Sequence, residues 1–139
     1  LLEAQKNGFQ KILTFGGAFS NHIVATASAG KLFNLETIGI IRGEKTIPLN
    51  PRLQFAQDSG MILHYIDREQ YREKTNPLFI ENLKEQFGNF YLIPEGGSNP
   101  LAIQGTAEIL SFLPQYPVHF DAVCTSVGTS GTLAGLAVS

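Results

Sequence analysis

Apolar and polar positions follow two different rhythms along this chain. Short β-rich runs at residues 11–15, 35–41, 61–66, 90–93 and 122–127 alternate with longer stretches of helical spacing at 23–33, 52–57, 78–87, 102–113 and 132–138. Within 23–33 the Ala, Val and Leu positions share one face. Pro51 opens the 52–57 helix and Ser59-Gly60 closes it, and Gly88 closes 78–87. Strands alternating with helices predict an α/β fold: a mainly parallel open sheet with helices on both faces. The first four strands are expected in one sheet and the last in a different one. No solenoid-like repeat and no low-complexity linker interrupts the pattern.

Three expected strand-to-helix junctions are rich in glycine and hydroxyls. They are Phe15-Gly16-Gly17-Ala18-Phe19-Ser20-Asn21-His22, Pro94-Glu95-Gly96-Gly97-Ser98-Asn99-Pro100, and Val127-Gly128-Thr129-Ser130-Gly131-Thr132. Ligands of open α/β sheets bind outside the carboxyl ends of the strands. Glycine there lets backbone approach a ligand, and free helix N–H groups attract anions. The last turn is the best anion-site candidate, because two glycines and three hydroxyls supply donors without a basic side chain. Its plain alternative is a tight turn with Ser/Thr caps. Ser20, Asn21 and His22 bring a hydroxyl, an amide and an imidazole together. Consecutive side chains at a helix start diverge, so they form no triad alone, and a Ser or Asn N-cap is the competing reading.

Charge sharpens the picture. Charged residues make up only 16% of the 139 positions, against roughly 25% in an average soluble domain. All ten Lys and Arg lie between Lys6 and Lys84, and residues 96–139 hold two acids, Glu108 and Asp121, and no Lys or Arg. So charge-poor a stretch is expected to be buried against something. The chain also opens on a helix-like run without an initiating Met and stops inside an apolar helical pattern, so a fragment of a larger protein is expected. A net charge of −2 and a pI near 5.9 argue against nucleic-acid or anionic-membrane binding. The single cysteine, Cys124, excludes a disulfide framework and is expected to pack within a buried strand. No Cys/His spacing suggests a metal site. The segment around Gly43 lacks the phosphate-loop spacing, since Glu44 separates it from Lys45.

In order and spacing, the three turns together resemble the 1-aminocyclopropane-1-carboxylate deaminase and D-cysteine desulfhydrase family, pyridoxal-phosphate enzymes with the tryptophan-synthase-β fold. The resemblance covers essentially the whole chain. It implies a two-domain enzyme with its cofactor, pyridoxal 5'-phosphate, between the domains. Residues 1–95 would form a small α/β domain and 96–139 part of the large cofactor-binding domain. By resemblance, Asn21 contacts the cofactor ring oxygen, and Ser20 lies beside the reacting carbon as the catalytic hydroxyl. Ser20, Asn21 and His22 face the substrate. Gly128, Thr129, Ser130, Gly131 and Thr132 hold the cofactor phosphate. The family's cofactor-carrying lysine is expected before Leu1, since neither Lys6 nor Lys11 matches it, and the pyridine-nitrogen partner is expected after Ser139. The fragment alone is therefore expected to be inactive. The implied whole enzyme converts 1-aminocyclopropane-1-carboxylate or D-cysteine into a 2-oxo acid and ammonia, with sulfide from D-cysteine. A cytoplasmic homodimer acting on a small amino acid is expected, with no nucleic-acid or membrane partner. The competing reading is a non-catalytic α/β module that binds a phosphorylated metabolite at residues 128–132.

Overall fold

The computed structural model describes residues 1–139. The chain divides into two compact units, Leu1–Ile93 and Pro94–Ser139.

The first unit is built on four parallel strands: β1 (Lys11–Gly17), β2 (Glu36–Arg42), β3 (Ile62–Ile66) and β4 (Tyr91–Ile93), in the order β3-β2-β1-β4. These are the first four expected strands. β1 is central, and its residues 12–15 are all buried. That burial explains its continuous apolar run, because a parallel strand covered on both faces has no solvent side to mark with polar residues. Helices α1 (Leu2–Lys6), α2 (Asn21–Phe33), α3 (Pro51–Asp58), α4 (Arg68–Arg72) and α5 (Pro77–Phe87) complete the unit.

Alternate strand residues feed two cores. Leu13, Phe15, Ile38 and Ile40 pack with Tyr71 of α4 and Leu83 of α5 on one face. Ile41 and Met61 pack with Ile23 and Ala27 of α2 and Leu53 and Ala56 of α3 on the other. Helices therefore cover both faces, as the alternating pattern predicts. The buried stripe of α2 differs from the expected one. It runs through Ile23, Thr26, Ala27 and Gly30, while Leu32 and Phe33 are exposed. The stripe follows the i, i+3, i+4, i+7 spacing of a helix seated close to the sheet, where Gly30 meets Thr37: a Cβ at Gly30 would lie 2.3 Å from Thr37 Cγ2. The helix stops at Asn34, in the left-handed conformation with φ of 54°.

The second unit holds α6 (Pro100–Ala107), two 3-10 segments (Glu95–Gly97 and Glu108–Gln115) and α7 (Gly131–Val138). The two α-helices touch at Gly135, where a Cβ would lie 1.9 Å from Thr106 Oγ1. Three expectations fail here. The 102–113 helix leaves α geometry after Ala107 and continues as a tighter 3-10 segment that contains Pro114, a residue with no N–H to donate. Residues 122–127 form no strand. A strand needs a neighbour within about 5 Å to complete its ladder, and none of β1 to β4 pairs with this run. Cys124, expected inside that strand, is exposed. No helix is long and apolar enough to cross a membrane.

Candidate active site

The strand order reverses beside β1, with β2 and β3 on one side and β4 on the other. The crevice outside the carboxyl ends of strands at such a switch point is where open α/β sheets take ligands. The segment leaving β1 there is the Gly16–His22 turn.

Ser20 is the N-cap of α2, and its Oγ accepts from the Ile23 N–H at 3.4 Å. That bond is longer than the usual 2.7–3.2 Å range for N–H···O. Ser20 is therefore a weakly engaged cap, half-buried at the mouth of the sheet. Asn21 follows in the first turn and is exposed. His22 turns back toward the sheet: its Nε2 lies 2.7 Å from Oγ1 of Thr14, a fully buried residue of β1. Thr14 Oγ1 also donates to the Ile93 carbonyl of β4 at 2.9 Å. Gly16 serves packing rather than ligand approach, since a Cβ there would lie 2.5 Å from Ile23 Cγ1.

The turn is held from its other side by the residues that open α3. Asn50 Nδ2 donates to the Ala18 carbonyl at 2.9 Å, and the Arg52 guanidinium donates to the Phe19 carbonyl. The Asn50 side chain also accepts from the Arg52 and Leu53 N–H groups at 3.0 and 3.1 Å. One amide thus caps a helix and clamps the turn. Lys11, by contrast, sits at the opposite end of β1, about 20 Å of strand away. There its Nζ donates to the Phe87 carbonyl at 2.7 Å and pairs with Glu36 at 3.3 Å.

In the second unit the other two glycine-rich turns pack together. Ser98 Oγ donates to the Thr129 carbonyl at 3.2 Å. Gly96 has a φ of +68°, and a Cβ on it would lie 2.2 Å from Thr129 Oγ1, so only glycine fits. Ser130 begins α7 in the left-handed conformation, with φ of 67°, and its side chain makes no capping bond. The first intrahelical bond runs from Ala134 N–H to the Ser130 carbonyl. The N–H groups of Gly131, Thr132 and Leu133 therefore have no intrahelical acceptor. In contrast, α2 to α6 are all capped by a side chain, from Ser20, Asn50, Asp67, Asn76 and Asn99. The alternative of a Ser-capped turn at residues 128–132 is not what forms. Around Gly128 the space is open, with no atom within 4 Å of an added Cβ. Uncapped N–H groups, hydroxyls and open space suit the phosphate end of the implied cofactor.

The structure thus gathers Ser20, Asn21 and His22 at one helix start in the first unit. It gathers Gly128, Thr129, Ser130, Gly131 and Thr132 at another in the second. Sequence reasoning does not single out Thr14, Asn50 and Arg52. Thr14 does carry a signal, as a lone hydroxyl inside an apolar strand. Asn50 carries one as an Asn before the Pro that opens a helix.

Known proteins match this chain along nearly its whole length. A Thermotoga maritima protein provisionally named a 1-aminocyclopropane-1-carboxylate deaminase is 34% identical over 142 residues, covering 98% of this chain and 45% of its own. An Arabidopsis thaliana protein, named a mitochondrial bifunctional D-cysteine desulfhydrase and 1-aminocyclopropane-1-carboxylate deaminase, is 31% identical and covers 99% of this chain and 38% of its own. The crystal structure of an ACC deaminase homologue superposes with a TM-score of 0.78 at 29% identity, covering 96% of this chain and 42% of that one. The chain is homologous to the 1-aminocyclopropane-1-carboxylate deaminase and D-cysteine desulfhydrase group. It spans less than half the length of the relatives in that group. No protein-family model matches it.

Proposed function

We propose that this chain is part of a pyridoxal-phosphate-dependent enzyme that deaminates a small amino acid, 1-aminocyclopropane-1-carboxylate or D-cysteine, to a 2-oxo acid and ammonia, with sulfide from D-cysteine. The observation that carries the reading is the turn before α7. Among the helices with a full first turn and polar residues to cap it, α7 alone is left without a side-chain cap. Homology to the deaminase and desulfhydrase group supports the same reading.

In this proposal the N–H groups of Gly131 and Thr132, with the hydroxyls of Thr129, Ser130 and Thr132, bind the cofactor phosphate at the positive end of α7. Gly128 keeps room for it. The exposed amide of Asn21 hydrogen-bonds the ring oxygen. When bound, the cofactor supplies an electron sink for a carbanion at the substrate. Ser20, weakly held by its cap bond, keeps a hydroxyl available to hold or move a proton at the substrate's reacting carbon. Asn50 and Arg52 hold the turn so that this hydroxyl keeps its place.

The test is spectroscopic and chemical. The full-length protein is expected to bind pyridoxal phosphate with a visible absorption band and to release a 2-oxo acid from one of the two substrates. Ser20→Ala is expected to keep the band and lower kcat about 10²–10⁴-fold, the usual contribution of a positioned proton-transfer group. A protein that binds a phosphorylated metabolite saturably, but shows neither band nor turnover, would point to the binding-module reading instead.

A further inference from the structure

We propose that the Gly96–Ser98 turn is a positioning element. It shapes residues 129–132 so that three backbone N–H groups, those of Ser130, Gly131 and Thr132, face one anion. The role toward a cofactor phosphate rests on the proposed function; the shaping of the turn does not.

Ser130 is left-handed, with φ of 67° and ψ of −2°, and Gly131 after it is the first residue of α7. A left-handed residue followed by a right-handed one turns successive N–H groups into a single concavity, a backbone nest that attracts anions. None of the N–H groups of Ser130, Gly131 and Thr132 donates to an acceptor within the chain. A left-handed serine is costly, because its Cβ crowds the backbone. The conformation therefore needs support from outside the turn.

That support comes from the Gly96–Ser98 turn. The Thr129 side chain is seated on Gly96: a Cβ there would lie 2.2 Å from Thr129 Oγ1 and 2.5 Å from its Cγ2. Ser98 holds the next atoms along. Its Oγ donates to the Thr129 carbonyl at 3.2 Å and lies 3.3 Å from where a Cβ on Gly131 would be. Around Gly128, by contrast, an added Cβ would meet nothing within 4 Å. The carbonyl and the N–H of one peptide plane point in opposite directions. With the Thr129 carbonyl turned to Ser98, the Ser130 N–H of the same plane points away from the Gly96–Ser98 turn and joins those of Gly131 and Thr132. The Ser98 bond is long for a hydroxyl and a carbonyl, whose usual range is about 2.5–3.0 Å. The seat on Gly96 therefore contributes the larger share of the shaping.

The experiment titrates full-length apoprotein with pyridoxal 5'-phosphate and, separately, with pyridoxal, which has the same ring and no phosphate. The visible band reports binding. Gly96→Ala, which drives a methyl group into Thr129, is expected to weaken pyridoxal phosphate about 10–100-fold, the range for loss of an outer positioning partner. Ser98→Ala is expected to weaken it about 2–5-fold, the scale of one weak neutral hydrogen bond. Ser98→Thr, which keeps the hydroxyl, is expected to restore it. Pyridoxal is expected to bind every variant as it binds the wild type, a selectivity that a merely structural role does not produce. Unchanged affinity for pyridoxal phosphate in the folded variants overturns the proposal, and so does an equal loss for both ligands. If Gly96→Ala does not fold, Ser98→Ala and Ser98→Thr decide the matter. If the wild type binds no pyridoxal phosphate, the proposed function fails, and inorganic phosphate followed by 31P NMR tests the turn instead. Weaker phosphate binding in Ser98→Ala than in the wild type then upholds the proposal, and equal or absent binding overturns it.

Discussion

The two units of this chain use apolar residues in opposite ways. Every buried hydrophobic side chain lies within Leu1–Ile93. In Pro94–Ser139 the one buried residue is Gly135, while Leu101, Phe112, Phe120, Val123 and Leu133 are all exposed. The second unit is nevertheless the poorer in charge. Hydrophobicity alone does not make a core; it makes a face that needs an opposing face. The first unit supplies both, since a parallel sheet presents two apolar surfaces and the connecting helices return to cover them. The second unit has two short helices that meet at a glycine, and an extended run with no strand beside it. The helix starts do not divide in this way: α6 of the second unit is capped by Asn99 as the first unit's longer helices are by their own side chains, and α7 alone of these is left open.

The largest effect expected from this contrast is in truncation. Ile38→Ala, in the centre of the sheet, should cost about 2–5 kcal/mol, whereas Leu133→Ala, half exposed, should cost well under half of that. Equal losses in denaturant titrations of the full-length protein would break the contrast. Next come the glycines of the second unit. Gly135→Ala places a methyl group against Thr106 and should destabilise by about 1–3 kcal/mol. Gly105→Ala has open space and should stabilise α6 by about 0.4–1 kcal/mol. Paired melting curves would show the opposite signs.

The helix starts give a second contrast, between the capped ones and α7. Asn50→Ala removes a cap and the clamp on Ala18, and should cost about 1–2 kcal/mol. Ser130→Gly removes no cap and relieves a left-handed non-glycine residue. It should raise stability by up to about 1 kcal/mol, while weakening the retention of pyridoxal phosphate. A destabilised Ser130→Gly would mean that the hydroxyl caps α7 after all. The smallest effect is at Tyr65, whose hydroxyl is buried without a hydrogen-bond partner. Burial pushes its phenol above the ordinary value of 10.0. The folded state thus favours the neutral form. Tyr65 contributes nothing pH-dependent below about pH 10 and loses stability as pH rises through the folded value. Tyr65→Phe should change neutral-pH stability by less than about 1 kcal/mol and flatten that alkaline loss in pH-dependent unfolding.

Much of this architecture is legible in the sequence itself. The four strands of the sheet, their parallel sense, the helices between them and the glycine-rich turns that follow β1 and β4 are as the local pattern predicts, whereas the turn at 128–132 opens a helix but follows no strand. Pro51, Gly88 and the Asn and Ser residues before helices act within a few residues of themselves. The family resemblance likewise rests on motifs that survive in order along the chain. Other features depend on what lies opposite in space. The 122–127 run has strand composition, but a strand exists only with a hydrogen-bonded neighbour, so Cys124 lies exposed. The 102–113 helix tightens into 3-10 geometry near Pro114, and α2 buries Thr26 and Gly30 rather than Leu32, because the sheet sets which stripe is covered. The site divides along the same line. Ser20, Asn21, His22 and the 128–132 turn can be named from sequence, because their chemistry is local. The strand order beside β1, the tie from His22 through Thr14 to Ile93, and the clamp from Asn50 and Arg52 join residues distant in sequence. Only the packed sheet brings those partners within hydrogen-bond reach.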